Sequence, residues 1–98
     1  MAETPDVTVS HDAAAHRYEA VIDGQPAGLA AYREDDGRVV FTHTEVPSRW
    51  EGLGVGSRIA KAALDDVVAS GRQIVPDCPF IARYIEEHPE YAEHVAAR

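Results

Sequence analysis

Three groups of residues in this chain have types and spacing suited to chemistry. The first is Gly52-Leu53-Gly54-Val55-Gly56-Ser57, which follows Val46-Pro47-Ser48-Arg49-Trp50-Glu51. Glycines lack a Cβ, so such a loop lets backbone N–H groups close on a phosphate, and a helix starting there adds the positive end of its dipole. Val46, Gly52, Gly54, Val55, Gly56 and Ser57 are the candidate contacts, and Arg58 and Lys61 on the following turns can reach further phosphates. The alternative for Arg58 and Lys61 is a pair of solvated helix charges. The second group is His43 and Glu45, two residues apart and therefore on one face of a strand, each a candidate base, or else a hydrogen-bonded strand histidine and a surface carboxylate. The third is Cys78 with Tyr84. Pro79 favours a helix start, which places Cys78 beside the positive end of that helix, although Asp77 opposes negative charge there. Taken alone, the residue reads as a small buried hydrophobe; the helix end would favour a thiolate, within reach of reagents, if the sulfur lies at a site. Tyr84 is a second candidate acid, or a helix-packing aromatic.

The elements that must position these groups can be read from periodicity. Val7–Ser10, Arg17–Ile22, Pro26–Arg33 and Arg38–Val46 read as strands, joined in part by Asp23-Gly24 and by Glu34-Asp35-Asp36-Gly37, which have hairpin-turn chemistry. From Val55 to Ser70 the period changes: Val55, Ile59, Ala62, Ala63 and Val67 form the stripe of an amphipathic helix, and Gly71 stops it. Arg72–Pro76 reads as a short fifth strand. A helix from Pro79 runs to the break at His88-Pro89, with a last helical turn or two through Val95. The expected architecture is α+β: a four-stranded antiparallel meander, a long helix, a fifth strand and a C-terminal helix.

The loop spacing excludes two familiar phosphate sites. G-x-G-x-G without Gly-Lys-Ser/Thr is not a Walker loop, and its antiparallel setting is not that of a dinucleotide fingerprint. The 98 residues predict one domain spanning 1–98, with 45% hydrophobic and 27% charged residues. A net charge of −8 disfavours nucleic acid and anionic membrane as partners. The basic exception is local: Arg49, Arg58 and Lys61 against Glu51. One cysteine forms no internal disulfide, and His11, His16, His88 and His94 lack ligand spacing, so no metal is expected. No apolar run is long enough for a membrane span, and the acidic start is unlike a secretory signal, which points to a cytoplasmic location.

Glu51-Gly52-Leu53-Gly54-Val55-Gly56, with Ser57 through Leu64 after it, resembles the acyl-CoA motif Q/R-x-x-G-x-G/A of the GNAT superfamily of N-acetyltransferases. Both glycines match; Glu51 stands where Gln or Arg is usual. Phe41-Thr42-His43-Thr44-Glu45-Val46 upstream resembles the small GNAT-like subfamily of about a hundred residues. So do Pro76-Asp77-Cys78-Pro79-Phe80, Tyr84-Ile85 and His88-Pro89-Glu90-Tyr91 downstream. The resemblance implies acetyl-CoA wedged between the fourth and fifth strands, loop amides on its pyrophosphate, and transfer of acetyl to an amine. It further implies His43 or Glu45 as base, directly or through water, and Cys78 as acid or transient acetyl carrier, with Tyr84 as the other acid. Full-sized relatives insert two helices between their first strands, for which this chain has no room, so the acceptor side should be open to an exposed amine, with the chain a monomer or weak oligomer. The contrasting possibility is a module that binds CoA without catalysis and needs only the glycine loop.

Overall fold

The computed structural model describes residues 6–96. Five strands form one sheet in sequence order: β1 (Thr8–Asp12), β2 (Arg17–Ile22), β3 (Gln25–Asp35), β4 (Arg38–Glu45) and β5 (Gln73–Pro76). The first four pair antiparallel, as the meander expectation has it, and β5 pairs parallel to β4. Helix α1 (Val55–Ala69) makes that parallel crossover and α2 (Pro79–Glu87) follows β5. Two 3-10 turns, Ser48–Trp50 and Pro89–His94, complete the chain. The first was not legible as structure in the sequence, and the second stands where a helical turn was expected.

The hairpins close as their residues dictate. Asp23 and Gly24 have φ of 49° and 75°, and Asp36 and Gly37 have 51° and 81°, so each pair forms the left-handed two-residue turn that matches strand twist. Gly71, at φ 78°, ends α1 in the same left-handed region. The apolar stripe of α1 (Val55, Ile59, Ala60, Ala63, Leu64 and Val67) is buried against one face of the sheet. Small inward residues on both sides, Ala20, Ala27 and Ala30 below and Ala60 and Ala63 above, let helix and sheet approach closely. On the opposite face Val40 and Val75 meet Ala96 at β4–β5, and no helix among the described residues packs on the rest.

Two irregularities shape the site. Between Ala31 and Tyr32 the β3–β4 register jumps, so that Ala31 pairs with His43, Tyr32 pairs with Phe41, and Thr42 is the extra residue. The jump reverses the side-chain alternation: Phe41 points into the core, yet His43 and Glu45 are exposed. Beyond Phe41 and Pro76, β4 and β5 no longer pair, apart from one bond in which Cys78 N–H donates to Phe41 O at 2.8 Å. The second half of β4 therefore presents an edge with no strand beside it.

Candidate active site

The glycine loop forms the wall of a cleft of about 260 Å³. Val46, Trp50, Glu51, Gly52, Gly54, Val55, Gly56, Ser57 and Phe80 line it, which brings together six of the residues proposed for phosphate contact. Gly54 is the N-cap of α1 with φ of 78° and Gly52 has 82°, conformations that other residues adopt only with strain. A Cβ at either would meet no protein atom within 4 Å, so both face free space. No side chain caps α1, which leaves its first N–H groups directed at a ligand or water. The indole Nε1 of Trp50 is buried without a hydrogen-bond partner, a further unspent donor beside the loop.

Gly56 serves another purpose. A Cβ there would lie 2.8 Å from Phe80 Cζ, so the missing methyl is what lets the Phe80 ring rest on the helix start. Phe80 and Ser57 also border a second cleft, of about 250 Å³, with Arg83, Tyr84 and Glu87. Phe80 is thus shared by two hollows around the α1 N-terminus. In sequence Phe80 reads as core or cofactor-edge packing; its 39% exposure, high for a phenylalanine, favours the edge. Arg83 was not singled out in the sequence because an exposed helix arginine carries no motif.

Arg58 and Lys61 lie elsewhere on α1. They line a hollow with Val7, Val9, Ala62 and Asp65, on the side toward β1. Lys61 is held by Asp65 at 2.8 Å, whereas no carboxylate among the described residues pairs with Arg58. Of the two, Arg58 is the cation open to an anionic ligand.

The remaining residues fall on two sides of β4. Cys78 is the N-cap of α2, with Pro79 at its first turn. Its side chain is 4% exposed and packs in the core with Phe41, Ile81 and Tyr84, with Sγ 3.3 Å from Thr44 Oγ1. The fold makes Cys78 the small buried hydrophobe of the residue's own reading, not a thiol that solvent reaches. The bond from Cys78 N–H to Phe41 O draws the segment onto β4 and turns the side chain inward. Tyr84 is buried too, its ring stacked on His88 at 3.9 Å. Burial raises its phenol above the ordinary value, so it holds its proton at neutral pH. His43 and Glu45 stand on the opposite face, exposed, with Nε2 and Oε2 2.9 Å apart. Thr44 between them points to Cys78, so β4 is a partition one strand thick between the sulfur and this pair. Among the described residues no group of three or more His, Cys, Asp or Glu is arranged to hold a metal.

Similarity to known proteins now has a structure to rest on. A family model of GCN5-related N-acetyl-transferases matches residues 17–95. Protein NATD1 of Gallus gallus is 32% identical over 93 residues, covering 91% of this chain and 84% of its own. The Homo sapiens protein of that name is 31% identical with 91% and 82% covered. A GCN5-like protein from Staphylococcus aureus, solved by NMR, superposes with a TM-score of 0.68 at 17% identity, over 99% of this chain and 93% of that one. An aminoglycoside acetyltransferase from an uncultured soil metagenomic sample, crystallised with trehalose, gives 0.53 at 11% identity over 84% and 59%. The likeness to these two structures is one of fold. With strand order, glycine loop and family match in agreement, this chain belongs to the GCN5-related N-acetyltransferases.

Proposed function

We propose that this protein binds acetyl-CoA at the glycine-loop cleft and transfers its acetyl group to a primary amine. The observation that carries the reading is the combination at one place of an uncapped helix start, two left-handed glycines facing free space and an unpartnered indole N–H. These are donors without acceptors, and a pyrophosphate is an acceptor of the right charge. The fit extends to the unpaired half of β4, whose open edge offers backbone groups to an amide-bearing arm such as that of CoA.

The thioester supplies an activated acyl carbon. The loop amides of Gly54 to Ser57 hold the phosphates, Val46 and Trp50 wall the cleft, and Arg58 on the first turn of α1 meets the remaining phosphate charge. A primary ammonium loses two protons on becoming an amide. The Glu45–His43 pair passes one to solvent, and one returns to the departing sulfur from Cys78 or Tyr84. Thr44 Oγ1 fixes the Cys78 sulfur at 3.3 Å, which suits either a proton donor or a transient carrier of the acetyl group. The burial of Cys78 favours a second reading, a CoA-binding module without turnover, in which that sulfur only packs.

Non-denaturing mass spectrometry and calorimetry with acetyl-CoA test the site, with micromolar-scale affinity expected. Gly54→Val places a branched side chain at a left-handed position facing the cleft and should abolish binding in a protein that still folds. Unchanged affinity in the folded variant removes the loop from the site. Binding by the native protein without acetyl transfer to any amine selects the module.

A further inference from the structure

The open face of the sheet carries a further cleft, of about 270 Å³, distinct from the glycine-loop one. Its walls come from all of β1 to β4, and their register explains its shape. Ser10 pairs with Glu19, Glu19 with Leu29, and Leu29 with Glu45, so these four residues form one cross-strand row. Neighbouring strands lie about 4.8 Å apart, which sets Glu19 and Glu45 about 10 Å from each other with Leu29 between them. Val21, Pro26 and Pro47 extend the apolar lining. The result is an apolar floor flanked by two carboxylates.

We propose, resting on the transferase reading above, that this groove seats the acceptor and that the acceptor is a lysine side chain of a polypeptide. The chemistry of the walls selects it. A straight four-carbon stem covers Leu29 and the prolines, while its ammonium lies between two anions. Glu19 Oε2 is 3.1 Å from Arg17 and Glu45 Oε2 is 2.9 Å from His43, which leaves Oε1 of each with lone pairs for an incoming N–H. An anionic or wholly apolar acceptor would leave this pair of carboxylates unmatched. Among the described residues no helix covers the groove, so a side chain enters it while its own main chain stays in solvent. The end of β4 joins the two clefts: Glu45 and Pro47 line this one, and Val46 between them lines the glycine-loop one. An amine held at Glu45 is therefore one residue from the wall of the cofactor cleft, and His43 is beside it to take its proton.

The test is an amide-resonance titration of the whole protein with Nα-acetyl-lysine methylamide, run with and without CoA. Shifts should cluster at Ser10, Glu19, Leu29 and Glu45. The norleucine analogue, which keeps the stem and lacks the ammonium, should leave them in place. Glu19→Gln should weaken the lysine analogue about fivefold, the size expected for one exposed charge pair, with unchanged affinity for CoA by calorimetry. Shifts elsewhere, equal shifts from norleucine, or no effect of Glu19→Gln overturns the assignment. Tighter binding of 1,5-diaminopentane than of the lysine analogue overturns the polypeptide source in favour of a free diamine. Because the titration needs no turnover, loss of the groove and loss of the transferase reading are seen separately.

Discussion

At the scale of single residues, Cys78 and Gly56 separate packing from function. Cys78 is buried at a helix N-cap with its sulfur 3.3 Å from Thr44 Oγ1. If the thiol acts on the leaving sulfur, Cys78→Ser should slow acetyl transfer about 10²-fold while CoA affinity stays near native. A purely packing thiol gives the other pattern, a lower melting temperature with turnover intact. Gly56 is held to glycine by the Phe80 ring, not by its own backbone, since only the ring would collide with a Cβ. The far end of an exposed side chain yields easily, and alanine is about 1 kcal/mol better than glycine inside a helix. Gly56→Ala should therefore fold with near-native stability while displacing Phe80 and altering CoA affinity. Adding Phe80→Ala should remove the effect of the Gly56→Ala methyl, read as non-additivity in a calorimetric double-mutant cycle.

At the scale of elements, β1 is one edge strand of the sheet and is fastened to α1 by a polar cluster. Asp66 on α1 accepts from the Tyr18 hydroxyl at 2.6 Å and lies 3.4 Å from His11 Nδ1. His11 Nε2 is 2.6 Å from the Tyr32 hydroxyl, and the His11 ring stacks on Tyr18 at 4.2 Å. Tyr18 is almost wholly buried, so Asp66→Ala leaves its hydroxyl without that acceptor, at a cost of about 1 to 2 kcal/mol. The loss should be local first: faster hydrogen exchange of β1 amides than of β3 and β4, with Ser10 withdrawn from the acceptor groove.

At the scale of the whole molecule, the two tyrosine–aspartate clasps set the pH range of stability. Burial pushes the Asp65 carboxyl up, but hydrogen bonds from Lys61 and Tyr91 outweigh it and hold it below the ordinary carboxylate value. The stability from this group is fully present above that ordinary value and is lost as pH falls through the lowered one. Tyr18 and Tyr91 are raised, by burial first and then by the hydrogen bonds to Asp66 and Asp65. Their contribution is complete below the ordinary phenol value of about 10 and fades as pH rises through the raised ones. Urea unfolding across pH should show both limbs. Asp65→Asn should flatten the acid limb and lessen the alkaline one, and an unaltered acid limb would place that charge effect elsewhere.

Much of this was legible along the chain because it depends on neighbours in sequence. Asp23-Gly24 and Asp36-Gly37 fix hairpins, the Val55–Val67 stripe fixes a helix on a sheet, and Gly52 and Gly54 mark a loop that only glycine tolerates. The order of strands and helices followed from these local signals, and the family from the resemblance of Glu51–Gly56 and the segments around it to the GNAT motif. What the sequence did not contain was anything set by register or by contact across the fold. One extra residue at Thr42 reverses the face of His43 and Glu45 relative to Phe41, and no local pattern announces a bulge. The burial of Cys78 depends on its bond to Phe41, 37 positions back, and the placing of Arg58 away from the glycine cleft depends on where β1 lies. The row Ser10–Glu19–Leu29–Glu45 exists only because three strand pairings align, so the groove proposed for the acceptor was decided by the sheet and not by any stretch of chain.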